Sequence, residues 1–188
     1  TACIIWGFVP VYYKLLTHVP PFELLAHRTI WSFLFFFVIL IYNGKLSELW
    51  ASVFLSKEDR VFIMISALLI AINWFFFIFA IQTNNATEAS LGYFIMPLVT
   101  VVWGLIIFKE KLSHTQWFAV SLATVAILIL TVGLTSAPWI ALTLALSFSF
   151  YAVLKKRIKI SPMVSVTAEV LILIPLALLI ILYFHQGQ

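Results

Sequence analysis

Residues Glu88 to Leu112 read EASLGYFIMPLVTVVWGLIIFKEKL. A polar run, Gln82-Thr83-Asn84-Asn85-Ala86-Thr87, leads into them, and Lys109-Glu110-Lys111 closes them. In between, the chain is almost wholly apolar for about 20 residues, the length of helix that crosses the hydrocarbon core of a bilayer. Gly92, Pro97 and Gly104 interrupt it. In a soluble helix interior Pro97 would cost about 3 kcal/mol. Inside a membrane, neighbouring helices or water re-satisfy the carbonyl that a proline frees. Tyr93, Met96, Pro97, Thr100 and Gly104 share one face at helical spacing. Small residues and hydroxyls on that face fit a helix that packs closely on one side and lines something on the other, or close packing alone.

The rest of the chain has the same character. Of its 188 residues 64% are hydrophobic and 10% charged, against about 25% charged in a soluble domain. The composition is that of an integral membrane protein, and the length suits one membrane domain. Cys3 is the single cysteine, which excludes an internal disulfide. The net charge of +4 does not point to nucleic acid, because the basic residues cluster beside apolar spans. Apolar sequence begins at Thr1 without a cleavable signal pattern, and residues upstream of Thr1 are expected.

Working outward, seven spans are expected: about 1–16, 23–42, 61–81, the opening stretch, 116–134, 139–154 and 162–184. Pro20-Pro21 separates the first two. The polar linker from Asn43 to Arg60 holds amphipathic pieces around Leu46, Leu49 and Trp50. Thr135 to Pro138 reads as a tight turn. One set of loops carries nine basic residues: Lys45, Lys57, Arg60, Lys109, Lys111, Lys155, Lys156, Arg157 and Lys159. The opposite loops carry none, although Lys14 lies one turn from the far end of the first span. The positive-inside rule places the basic loops in the cytoplasm, the N-terminus inside and Gln188 outside.

A shift of 141 residues aligns Lys14 with Lys155, Pro21 with Pro162 and Arg28 with Glu169. Identity is weak, but the layout repeats: helix, basic end, proline, then an intramembrane charge. Five spans separate the copies, and an odd number inverts the second copy in the membrane. The expected fold is an all-α membrane protein of about seven transmembrane helices. Residues 1–134 form one five-helix repeat, and residues 135–188 open a second, inverted repeat.

The pieces Glu23-Leu24-Leu25-Ala26-His27-Arg28-Thr29-Ile30-Trp31-Ser32, Asn73-Trp74, Glu88-Ala89-Ser90-Leu91-Gly92-Tyr93-Phe94 with Pro97-Leu98, and Ala145-Leu146-Ser147-Phe148-Ser149-Phe150-Tyr151 resemble, in order, RarD-type proteins. These belong to the EamA branch of the drug/metabolite transporter superfamily. The resemblance covers essentially the whole chain and implies ten helices in two inverted repeats around a central cavity. It also implies a secondary transporter, an inner-membrane permease for a small organic metabolite or drug. Measured against that pattern, the chain lacks a starting methionine and the last three helices. The fragment is expected to transport nothing until those helices are supplied.

An intramembrane ionisable group faces a cavity or a partner by default. Arg28 lies about 12 Å into its span, where it either lines a site or snorkels outward. Glu23 caps its helix or joins that site. His27, about 100° away from Arg28, is expected to be packed. Glu169 is either a proton or ion coupling site or a snorkelled surface glutamate. Asn73 is the polar residue amid Ala71, Ile72, Trp74 and Phe75; it bonds another helix or touches substrate. The substrate-binding candidates are Trp6, Tyr13, Arg28, Asn73, Tyr93 and Pro97, expected to converge on one cleft near the midplane. Aromatic linings suit planar or amphipathic organic solutes.

Catalysis finds little footing. Asp59 is the sole aspartate, His18, His27, His114 and His185 are scattered without metal-ligand spacing, and no phosphate-binding glycine loop occurs. ATP-driven transport is excluded for this chain, and neither cofactor nor metal is expected. The expected partners are the bilayer, a small-molecule substrate, the remaining helices if separately encoded, and a second copy in a homodimer. Two other readings compete. One is a non-transporting fragment of a split gene. The other is a seven-helix receptor, although a retinal protein would need a lysine that 162–184 lacks.

Overall fold

The computed structural model describes residues 2–53, 57–132, 138–158 and 160–186. Eight helices follow in order: α1 (Ala2–Leu15), α2 (Pro21–Tyr42), α3 (Leu46–Val53), α4 (Lys57–Gln82), α5 (Ala86–Ile107), α6 (His114–Val132), α7 (Trp139–Arg157) and α8 (Pro162–Gln186). Six of them, all but α1 and α3, are long and apolar enough to cross a membrane. The protein is a multi-pass, all-α membrane protein.

Local chemistry sets the boundaries. α2 ends in a Schellman motif, with Lys45 N–H on Leu40 O, Gly44 N–H on Ile41 O, and Gly44 at φ 66°. α4 ends the same way at Asn84, φ 62°, with Asn85 N–H on Ala80 O. α5 stops at Ile107, short of Leu112, where Lys109 turns at φ 52° and Glu110 N–H returns to Gly104 O. α6 starts at His114 through a reciprocal capping box: Ser113 Oγ accepts from Gln116 N–H, and Gln116 Oε1 accepts from Ser113 N–H. The linker's amphipathic stretch forms α3, and α4 begins at Lys57, four residues before the expected span, with Glu58 and Asp59 in its first turn. The turn expected over 135–138 falls mostly outside the described residues.

α4 is the central helix. Its C-terminal part meets α1 through Tyr13–Phe77 and α2 through a stacked Phe22–Phe75 pair, and Phe76 packs edge-on against Trp139 of α7. Those contacts, with the bonds from Gln82 to Leu16 O and Val19 O, fix directions: α1 runs parallel to α4, while α2 and α7 run against it. α5 lies parallel beside α7, and α8 runs antiparallel to α2, with Val164 clustering beside Leu40. α1 and α7 therefore point in opposite directions, as do α2 and α8.

Two apolar clusters form. One, at the Gln82 end, joins Tyr13, Leu24, Phe77, Ile78, Ile140 and Leu144; the other, at the far end, joins Leu40, Leu49, Ile63, Ile158 and Val164. No described residue of α6 is buried. Lipid is as apolar as leucine, so close approach and interhelical hydrogen bonds carry the association. Gly92 provides the close approach, since a Cβ there would lie 2.9 Å from Ala141 O and 3.0 Å from Leu144 Cβ. Gly104 does not: a Cβ there would meet only the Glu110 carboxylate, at 2.9 Å. Of the face expected for α5, Thr100 bonds Ser149 of α7 at 3.2 Å, but the closest approach to α7 is at Gly92, one position before Tyr93, and not at Gly104.

Candidate functional site

Gln82 donates to Leu16 O and Val19 O at 2.8 and 3.0 Å, and Lys14 bonds Asn84. These bonds clamp the α1–α2 connection onto the end of α4 and seat Tyr13, which is 5% exposed. Arg28 reaches across from α2. Its Nη1 donates to Tyr13 Oη at 2.9 Å, and its guanidinium carbon lies 4.1 Å from the Trp74 ring centre. Stacking on an indole face while a phenol accepts one N–H holds the fork in a single plane. The fork borders a cleft of about 1050 Å³ between α1 and α2, lined also by Trp6, Tyr13, Glu23, His27 and Trp31. His27 is exposed rather than packed, with Nε2 4.0 Å from a Glu23 oxygen.

Trp6 also borders a second cleft of about 420 Å³, with Pro10, Phe77, Ser90 and Tyr93. Tyr93 packs edge-on against Phe77 at 5.9 Å. The expected convergence on one cleft is therefore replaced by two clefts that share Trp6. Asn73 and Pro97 line neither of them. Asn73, 1% exposed, donates from Nδ2 to Leu144 O at 3.0 Å and to Ser147 Oγ at 3.1 Å, inside the α4–α7 interface. The reason is angular: consecutive helical residues point about 100° apart, so Trp74 faces α2 while Asn73 faces α7. Pro97 is exposed. Beside it, Met96 O accepts from Thr100 Oγ1 at 2.8 Å and from Ser149 Oγ of α7 at 3.0 Å.

Glu169 sits elsewhere, 1% exposed where α4, α7 and α8 meet. Lys155 Nζ is 2.7 Å from its Oε1, which also accepts from Ser66 Oγ at 2.7 Å and Ser165 Oγ at 3.2 Å. Tyr151 Oη donates to Oε2 at 3.2 Å. Glu169 is thus neither at the surface nor paired with Arg28. Its partner Lys155 reads in the sequence as one more loop lysine, yet its side chain is only 20% exposed. A signal for the pair exists: Lys155 and Glu169 lie equally far on either side of Pro162, which opens α8. A helical hairpin turning there brings them level. Ser66 and Ser165 carry no comparable signal.

At the Gln82 end, then, a cleft presents an anchored guanidinium among aromatic rings. A buried ion pair lies toward the other end, and α4 links them through Trp74 and Ser66. No catalytic constellation appears among the described residues, and none of their His, Cys, Asp and Glu side chains group as a metal site. The model of the EamA-like transporter family matches residues 1–132. An uncharacterized transporter of Pseudomonas aeruginosa is 38% identical across all of this chain and 62% of its own length. The uncharacterized transporter YojE of Bacillus subtilis is 38% identical across 98% of this chain and 63% of its own. Protein RarD of Escherichia coli is 39% identical across all of this chain and 65% of its own. The chain therefore spans a little under two thirds of the length of these relatives. No solved structure matches. An all-helical multi-pass architecture, a family match over most of the chain and this level of identity to RarD proteins together place the chain in the EamA-like transporter family, as a RarD-type member.

Proposed function

We propose that this protein serves as a secondary transporter that moves a small organic solute across the bacterial inner membrane. The α1–α2 cleft is its solute-contacting surface in this half of the molecule. The observation that carries this reading is Arg28, held between Tyr13 and Trp74 beside about 1050 Å³ of open space. A cation about 12 Å down its helix is expensive in lipid and is kept where it does something. Trp6 and Tyr93 extend the surface into the neighbouring cleft.

The repeat reading belongs to the same proposal: residues 1–134 form one five-helix unit and residues 135–188 begin an inverted one. Two observations support it. The pairs α1–α2 and α7–α8 run in opposite senses. In each pair the charge on the second helix reaches the first helix and also α4: Arg28 to Tyr13 and Trp74, Glu169 to Lys155 and Ser66. Glu169 is the coupling candidate, because proton or ion movement would act on a buried carboxylate whose four neighbours all donate to it.

The test is transport by residues 1–188, alone and joined to the portion of Escherichia coli RarD beyond the match, in proteoliposomes. A panel of radiolabelled organic metabolites and chloramphenicol would be screened by counterflow. Saturable counterflow by the joined protein that is lost in Arg28→Gln supports the reading. Counterflow that is indifferent to Arg28 removes the cleft.

A further inference from the structure

Arg28 offers more than it uses. A guanidinium carries five N–H donors, and one of them reaches Tyr13. Trp74 covers one face of the group. Among the described residues no acceptor takes the other four donors, and no carboxylate comes within 4.0 Å to form an ion pair with Arg28. The contrast with Glu169, which has four donors around it and a lysine at 2.7 Å, is informative. One intramembrane charge is neutralised by the protein, and the other faces an open cleft with its donors unspent.

We infer that the transported solute carries one anionic oxygen group on an apolar body, and that Arg28 binds that group. The inference rests on the reading of the α1–α2 cleft as solute-facing. A planar fork held by stacking matches a carboxylate bidentately and loses little freedom on binding it. The apolar body has a place as well: Trp6, Trp31, Phe35 and Phe36 line the same cleft. Two further titratable groups face it from α2. Glu23 lies about 7.5 Å up the helix from Arg28 and is 4.0 Å from His27 Nε2. Its carboxylate repels a second negative charge near the helix start, which favours a monoanion over a dianion. Tyr12 and Tyr13 face the cleft from α1.

Equilibrium dialysis of the purified protein in neutral detergent tests this, with radiolabelled phenylacetate as the anionic probe and phenylacetamide as its neutral isostere. Phenylacetate is expected to bind saturably, and the amide at least about tenfold more weakly. Arg28→Gln should weaken phenylacetate about tenfold or more while leaving the amide unchanged, and Arg28→Lys should fall between. Glu23→Gln should tighten phenylacetate severalfold, a readout that survives even if the Arg28 variants fail to fold. Unchanged phenylacetate affinity in a folded Arg28→Gln, or weakening in Glu23→Gln, overturns the inference. Equal binding of acid and amide removes the anion and leaves the cleft; binding of neither removes both. A final arm adds phosphatidylglycerol vesicles. If the lipid displaces phenylacetate and itself binds in an Arg28-dependent way, the anion is a lipid headgroup and the solute assignment falls.

Discussion

Lys155→Met is the sharpest perturbation of the inner network. It removes the ammonium 2.7 Å from Glu169 Oε1 and leaves the carboxylate 1% exposed with only Ser66, Ser165 and Tyr151 as donors. Removing one partner of a buried ion pair typically destabilises by about 3–5 kcal/mol, mostly through the charge left behind. Three hydroxyl donors remain, so the lower end of that range applies here, about 3 kcal/mol. Glu169→Leu should cost less. The lysine it strands has a side chain 20% exposed, and four methylenes allow its ammonium to swing toward water. The double variant Lys155→Met/Glu169→Leu should lie near wild type, because an apolar pair of similar volume is often as stable as the ion pair it replaces. Reversible unfolding in a detergent titration, followed by circular dichroism and tryptophan fluorescence, closes the double-mutant cycle. A coupling energy of about 2 kcal/mol or more is expected for residues in direct contact. A Lys155→Met protein within about 0.5 kcal/mol of wild type, or simple additivity in the cycle, would refute the buried pair.

Gly92→Ala should lower stability by about 1–3 kcal/mol, because its Cβ meets the Ala141 backbone at 2.9 Å; Gly104→Ala should do less, since the Glu110 carboxylate can move aside, and the same titration compares them. Asn73→Leu should cost about 0.6–1.7 kcal/mol, the range for a hydrogen bond between membrane helices, and should leave phenylacetate binding unchanged, because Asn73 borders neither cleft. On a Cys3→Ser background, a cysteine at Ser113 should be shielded from an impermeant reagent applied outside intact cells, whereas one at Ser136 should label; the reverse pattern would invert the orientation drawn from the basic loops.

The helices were legible because lipid imposes a simple rule: backbone groups must bond within the segment, and about 20 apolar residues do so as a helix. Span ends were less so. They depend on single residues that turn left-handed or cap, such as Asn84, Lys109 and Ser113, and these carry little weight in an apolar count. The site was legible where one residue's charge announced itself. Arg28 and Glu169 stand out in any intramembrane reading, and Tyr13 and Trp6 line the same cleft as Arg28. For Asn73 two readings stood open, because a polar residue in an apolar helix signals the need for a partner without saying which; the bond to another helix is the one it makes. Its neighbour Trp74 faces Arg28 of α2, and Asn73 faces α7. Lys155 was masked by Lys156 and Arg157, which share its charge but not its burial.

The contact of both charges with α4 has a mechanical consequence. Trp74 and Ser66 are about 8 residues apart, roughly 12 Å along one helix. Trp74 supports Arg28 in the α1–α2 cleft, and Ser66 bonds Glu169 beside α7 and α8. If α4 moves as a rigid rod, a displacement that lifts Trp74 from the guanidinium also strains the Ser66–Glu169 bond. Asn73, bonded to α7 between them, ties α4 to α7 over the same stretch. Solute binding at Arg28 and rearrangement at Glu169 would then be linked through one helix, and linkage is reciprocal. Glu169→Gln should accordingly change phenylacetate affinity at Arg28, although the two residues share no contact. Ser66→Ala, which removes the tie while keeping the carboxylate and its lysine, should reduce that effect. An affinity unchanged in Glu169→Gln would mean that the cleft and the ion pair act independently, each held by α4 but not coupled through it.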